Sequence, residues 1–554
     1  MRHLAAFLFF SMVGCTTQHT ADPVPGSPHG TLFVGGTVVT GATQTPQKNY
    51  AVFVSGGTIR EVGPAETLRA AHRSARVVDA AGATILPGLT DAHGHLYGLG
   101  VALDTVNLVG TTSYEEVIAR VKQRAGTAAP GEWITGRGWD QNDWTVKEFP
   151  AAAMLDTALG DRPVVLERVD GHATLANSAA MRAAGVSAAT PDPEGGRIVR
   201  DANGNPTGIF IDAASTIIDR AVPAVGVAQR KARVLAAARA IAATGLTEMH
   251  DAGIDGPTIT AVQELIDEKR FPIRVYAMLG DDDALLRTWF DSGPLVAYGG
   301  RLTVRAIKLY ADGALGSRGA ALLAPYSDDP GNSGLMVSRP EHLQDVARRG
   351  RAAGFQVNTH AIGDRGVRES INAYANAGVA AKDRFRIEHL QVISLDDIPR
   401  LARHGIIASM QPTHATSDMY WAEARVGPER IRGAYAWRTI LNSGGRLALG
   451  SDFPVEDVNP FFGIYAAVTR QDQKQWPEGG WRPSERLTLA EAIRGFTSDA
   501  AFAAFEEKSR GTIEAGKLAD LTIVDGDLFA MPAAELYRAK VRYTVVGGEI
   551  VFGE

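Results

Sequence analysis

The sequence predicts an α/β protein: a (β/α)8 barrel of the TIM type, flanked by a β-sandwich built from both chain ends and carrying a large insert after its first barrel strand. Three observations predict it. Eight short apolar runs recur along the chain with helical segments between them, among these Gln229 to Ala243 and Glu341 to Ala353. Most of these runs carry a histidine, lysine or aspartate at or near their C-terminal end. The two ends of the chain read as strands and Gly-Gly or Gly-Pro turns, with too few strands at either end to make a sandwich alone.

Taken in order, Met1-Arg-His precedes an apolar run from Leu4 to Phe10, and Ser11-Met-Val-Gly-Cys15 resembles a bacterial lipoprotein signal. Cys15 is the chain's single cysteine, so it forms no internal disulfide, and its position after the apolar run points to lipid attachment. Residues 1–14 are thus expected to be removed and 15–30, rich in Thr, Pro and Gly, to act as a tether. The body is expected to be exported and held at a bacterial membrane by its lipid alone, since no other stretch is long and apolar enough to span a bilayer. Thr16, where inner-membrane retention favours aspartate, gives a mild preference for the outer membrane. Residues 31–84 and 511–554 make the sandwich, and 85–510 the barrel.

Barrel strand one ends at Asp91-Ala-His-Gly-His95. The others are Gly245–His250, Ile273–Leu279, Val304–Tyr310, Phe355–His360, Phe385–His389, Ile406–Gln411 and Leu447–Asp452. Residues 96–240 are far too many for a strand-to-helix connection and are expected to form an inserted domain over the catalytic face. Its candidate substrate contacts are Trp139 and His172.

The residue types at the strand ends point to metal chemistry. His93 and His95 are one residue apart on a strand and so share a face, and neutral imidazole is a common ligand for zinc and similar ions. Lys308 is a poor ligand as an ammonium, but as a carbamate it offers two oxygens that bridge two cations. His360 and His389 follow later strands, and Asp452 after the last is suited to touch one metal and take a proton from the water that metal activates. A closed barrel brings all six to one rim.

With that set in place, Leu86-Pro-Gly-Leu-Thr-Asp-Ala-His-Gly-His95 followed by Lys308, His360, His389 and Asp452 resembles the metal-dependent amidohydrolase superfamily. Gly136-Arg-Gly-Trp-Asp140, Asp170-Gly-His172, Lys308-Leu-Tyr-Ala-Asp-Gly-Ala, His360-Ala-Ile-Gly-Asp364, Gln411-Pro-Thr-His414 and Gly450-Ser-Asp-Phe-Pro454 are similar to the branch that includes N-substituted formamide deformylases. The likeness runs from about Thr31 to the C-terminus. It implies that His93, His95 and Asp452 bind one divalent ion, zinc by preference, that His360 and His389 bind a second, and that Lys308 is carboxylated between them.

Other polar residues are expected at the same rim: His250 and Asp251, Arg318 and Tyr326, His414 and Asp418, with Asp364 in a supporting place. His414 is the candidate for polarising a substrate carbonyl, and Arg318 for pairing with a substrate carboxylate. The expected reaction is hydrolysis of an amide-type C–N bond with Asp452 as general base. Esters and lactones, deamination and isomerisation draw on the same constellation, and a metal-dependent binding protein without turnover is the reading outside enzymes. The chain has 554 residues, 45% apolar and 21% charged, with net charge −6 and no long basic run, which excludes a disordered chain and gives no footprint for nucleic acid. The expected partner is a small-molecule substrate, with oligomeric state left open between monomer and homo-oligomer.

Overall fold

The computed structural model describes residues 30–41, 45–141, 144–168, 173–193, 196–316 and 318–553. Eight parallel strands form the barrel: β1 Leu89–Gly94, β2 Leu246–Ile254, β3 Arg274–Leu279, β4 Leu302–Tyr310, β5 Gln356–Ala361, β6 Arg386–His389, β7 Ile407–Met410 and β8 Arg446–Leu449. Each pairs with the next from β1 to β8. A short antiparallel strand, Leu295–Tyr298, lies beside β4. The wall closes between β8 and β1 through the segment after β8, where the Asp452 N–H donates to the His93 carbonyl at 2.7 Å and the Ser451 hydroxyl donates to Asp91 at 2.7 Å. The expected strands are all present, with ends shifted by a few residues; β2 runs on past His250 to Ile254.

The barrel strands are buried almost throughout because helices cover their outer faces. Helix Pro340–Ala352 shows how the covering works. Pro340 occupies its first turn, and Leu343, Val346, Ala347 and Gly350 recur on one buried stripe. Gly350 permits the close approach: a Cβ there would stand 2.9 Å from Val357 of β5 and 3.1 Å from Ile307 of β4.

The two chain ends meet in one eight-stranded sheet. Thr84–Pro87 pairs antiparallel with Leu521–Val524, so the N-terminal share of this sheet runs on beyond residue 84. Phe33, Val52, Ile59, Ile85, Leu521, Ile523 and Val545 pack in its core. The hairpin between Gln47–Ser55 and Thr58–Pro64 turns on Gly56 and Gly57, both at positive φ (61° and 74°), as a two-residue turn matched to strand twist requires.

The insert between β1 and β2 has its own six-stranded mixed sheet, with Ile134–Trp139 and Val164–Arg168 parallel at its centre. Its apolar core includes Val117, Leu155, Leu166, Leu175 and Ile209. Asp104, at the end of the first helix after β1, pairs with Arg124 at 2.5 Å and with Arg233, on the helix Val227–Ala243 that leads into β2, at 2.8 Å. Among the described residues, no helix is long and apolar enough to cross a membrane. Cys15 lies outside them.

Candidate metal centre

The C-terminal ends of β1, β4, β5 and β6 and the segment after β8 bring His95, Lys308, His360, His389 and Asp452 to one cavity of about 420 Å³, with His93 fully buried beside Asp452. His95 and His93 approach Asp452 Oδ1 with their Nε2 atoms at 3.0 and 3.5 Å, and Lys308 Nζ lies 3.2 Å from His93 Nε2. The rings of His93 and His360 each stand 4.6 Å from that of His389. Candidate ligand atoms of His93, His95 and Asp452 lie within 4.8 Å of one another, and so do those of His389, His414 and Asp452.

Backbone geometry aims two of these side chains. Glu388 points into the barrel, so the next residue of a regular strand would point outward. His389 instead takes φ 72°, which swings its imidazole back to the cavity, and Asp452 takes φ 65°. A non-glycine residue in this region costs roughly 1–3 kcal/mol, met here by the hydrogen bonds that hold each one. His389 Nδ1 bonds the Gln411 side-chain oxygen at 2.9 Å, and the Asp452 N–H is the donor that closes the barrel.

Burial, with the Lys308 charge adding to it, lowers His93 to about 4 and His360 to about 3, and burial holds His389 well below the ordinary histidine value. At neutral pH these rings are uncharged, the form that binds a cation. Burial lowers Lys308 to about 8, so a fraction is free amine near neutrality. Burial alone would raise Asp452, but His95, His93 and His414 more than offset it and hold the carboxyl well below the usual range. Asp91, raised to about 7 by burial, accepts from the backbone of His93 and Ser451 and stitches β1 to the end of β8. The residues fit a cation: His360 Nε2 is buried with no hydrogen-bond partner, a state costing roughly 1–3 kcal/mol that an ion at its lone pair would relieve.

Around the candidate ligands, Tyr310, Leu315, Gly316, Ile362 and Trp421 give the cavity apolar walls, and Gln391, His414, Asp418 and Glu456 line its polar side. His414 on that side stands 3.6 Å from Asp452 Oδ2. Several other expectations need correction. Trp139 is fully buried in the core of the insert, its indole N–H donating to the Leu166 carbonyl at 2.9 Å, because its strand turns that face inward. Arg318 pairs with Asp328 through both Nε (3.1 Å) and Nη2 (3.0 Å), and so is committed within the rim. Among the described residues, the cavity lining comes from the barrel strands and the loops that follow them, and none from the insert. His172, with Asp170, lies outside the described residues.

Tyr326 is buried and donates to the Ala320 carbonyl, and Asp364 accepts from the Leu323 N–H; both fix the loop after β4. His250 lies inside the barrel against Arg386, and Asp251 beside it is raised to about 6 by burial. Sequence reasoning missed Glu388, Gln391 and Gln411, which hold three of the imidazoles, and Asp312, which gathers the N–H groups of Ala321, Ile362 and Gly363 at 2.8–2.9 Å. The available signal was Arg386-Ile-Glu388: charged residues at alternate positions of a central barrel strand must face each other's partners inside it.

Comparison with known proteins gives the chain's family and fold relatives. The amidohydrolase family model matches residues 76–552. The putative amidohydrolase YtcJ of Bacillus subtilis is 35% identical, covering 94% of this chain and 99% of that protein. The N-substituted formamide deformylase of Arthrobacter pascens is 28% identical over 90% of this chain and 94% of its own length. Among solved structures, an uncharacterized metal-dependent hydrolase from Pyrococcus furiosus superposes with a TM-score of 0.75 at 29% identity, covering 90% of this chain and 99% of that one. By its barrel, its histidine and aspartate cluster and the span of these matches, the chain belongs to the amidohydrolase family, within the superfamily of metal-dependent amidohydrolases.

Proposed function

We propose that the protein hydrolyses an amide-type C–N bond of a small molecule, an N-acyl or N-formyl amide, with Asp452 as general base. The observation that carries this is Asp452 itself: one buried carboxylate, ionised at neutral pH, within 3.0–3.6 Å of His95, His93 and His414. The deformylase among the relatives favours a C–N bond over an ester.

His93, His95 and Asp452 would hold one divalent ion and His360 and His389 a second, zinc by preference, with Lys308 as a carbamate between them. When bound, such ions supply an acidified water and an electrophilic contact for the carbonyl. The protein's own groups do the rest. Asp452 takes the proton of the attacking water and returns it to the leaving amine. His414 donates to the carbonyl oxygen as charge builds there. Tyr310, Leu315, Ile362 and Trp421 shield the reacting centre from bulk water.

Zinc-loaded protein assayed on N-formyl amides, N-acyl amides, dipeptides and simple esters tests the reading. Amide turnover is expected, falling by about 10²–10⁴-fold in Asp452→Asn. Turnover confined to esters, lactones or aminated rings would replace it with another reaction of the family, and bound zinc without any turnover would leave a binding protein. The segment Met1 to Cys15 supports export and lipid anchoring, and Cys15→Ser should release the protein from the membrane fraction.

A further inference from the structure

The buried imidazoles around the cavity are not equivalent, because the atom that each Nδ1 meets decides which nitrogen carries the proton. His93 Nδ1 faces a carboxylate oxygen of Glu388 at 2.5 Å, and His389 Nδ1 faces the side-chain oxygen of Gln411 at 2.9 Å. Those oxygens accept hydrogen bonds and have no proton to give. Both rings therefore carry hydrogen on Nδ1 and present a lone pair at Nε2, as a metal ligand must.

His414 is the reverse case. Its Nδ1 faces the side-chain nitrogen of Gln391 at 3.2 Å, and an amide nitrogen can only donate. Nδ1 is then the acceptor, and the ring's hydrogen sits on Nε2. That atom is buried with no hydrogen-bond partner, 3.6 Å from Asp452 Oδ2, on a residue that lines the cavity. An N–H has no lone pair for a cation. Proximity alone would group His414 with His389 and Asp452 as a metal site; hydrogen bonding separates it from them.

We infer that Gln391 is a positioning residue that locks His414 as the Nε2–H tautomer, withdrawing it from the metal ligands and making it a hydrogen-bond donor for the oxygen of the bond under attack. The tautomer follows from these contacts alone; its catalytic use rests on the hydrolysis proposed above.

The test is histidine side-chain ¹⁵N–¹H correlation spectroscopy on zinc-loaded, ¹⁵N-histidine-labelled protein, with the His414 signal assigned by its loss in His414→Gln. The expected wild-type signal is Nε2–H. In Gln391→Glu, which puts an acceptor where the donor was, the hydrogen should move to Nδ1. On the amide substrate that variant should lose about 10²-fold in kcat with KM changed by no more than about threefold. A wild-type His414 that is Nδ1-protonated or shifted by a bound cation overturns the inference, and so does Gln391→Glu with wild-type kcat. The wild-type spectrum decides the tautomer even if Gln391→Glu fails to fold. An Nε2–H signal in a protein that hydrolyses nothing supports the tautomer and places the failure in the proposed function.

Discussion

Glu388 accepts two hydrogen bonds, from His93 Nδ1 at 2.5 Å and Arg386 Nε at 2.7 Å, and all three side chains are fully buried. One oxygen orients His93 and the other is held by the guanidinium, which also donates to the Ala92 carbonyl at 3.0 Å. Supporting acceptors of this kind are worth about 10–100-fold in metal affinity, so Glu388→Ala should weaken zinc binding by that order. Glu388→Gln keeps an acceptor for His93 but turns its amide nitrogen towards Arg386, and should fall between the two. Competition against a zinc chelator measures both; equal affinity in wild type and Glu388→Ala would remove Glu388 from this role. The candidate ligands were legible one by one as strand-end residues, because each follows an apolar run. Their supporting partners were not, since His93 and Glu388 are 295 residues apart and only the closed barrel joins them.

At the scale of elements, the seam between β8 and β1 leaves the site little room for backbone change. A Cβ on Gly450 would stand 2.5 Å from Asp91 Oδ1 and 2.6 Å from the His93 backbone nitrogen. Gly450→Ala must therefore push apart the segments bearing His93 and Asp452. Overpacking costs typically about 1–3 kcal/mol, and zinc affinity should fall with it. Denaturant unfolding of the metal-free protein and zinc titration give the two numbers; wild-type values for both would mean that the seam relaxes without cost. The strands at this seam could be read from apolar runs and their terminal residues. Their mutual spacing could not, because it depends on side-chain contacts across the seam. The insert shows the same division: its size and place in the chain were readable, while the inward face of Trp139 followed from packing within its own sheet.

For the whole molecule, the ion pair Arg274–Asp520 fastens the start of β3 to the sheet made from the chain ends. Asp520 accepts from Arg274 Nε at 2.8 Å and Nη2 at 2.9 Å, and from the Gly547 N–H at 2.8 Å. Burial would raise Asp520, but Arg274 outweighs it and brings the carboxyl down to about 2 from an ordinary 3.8. A carboxyl lowered on folding stabilises the fold above its unfolded value and ceases to as pH drops through its folded value. The contribution, about 2 kcal/mol, is thus complete above pH about 4 and lost towards pH about 2. Asp520→Asn also leaves the buried Arg274 charge unpaired, which costs a further penalty. Its stability deficit should be full at pH 7 and shrink as pH falls through 4; a deficit independent of pH would show that the ionised pair is not what joins barrel and sheet.

Apolar periodicity and the residue at each strand end were sufficient for the barrel, its eight strands, the flanking sheet and the six candidate ligands, because burial and backbone hydrogen bonding act on short stretches of chain. Tertiary structure alone decided the acceptor or donor beside each imidazole, the commitment of Arg318 to Asp328 and a cavity lined, among the described residues, by barrel strand ends and loops without the insert. Those outcomes depend on hydrogen-bond geometry between segments far apart in the chain, and a linear pattern carries no record of which distant groups fall within 3 Å of one another.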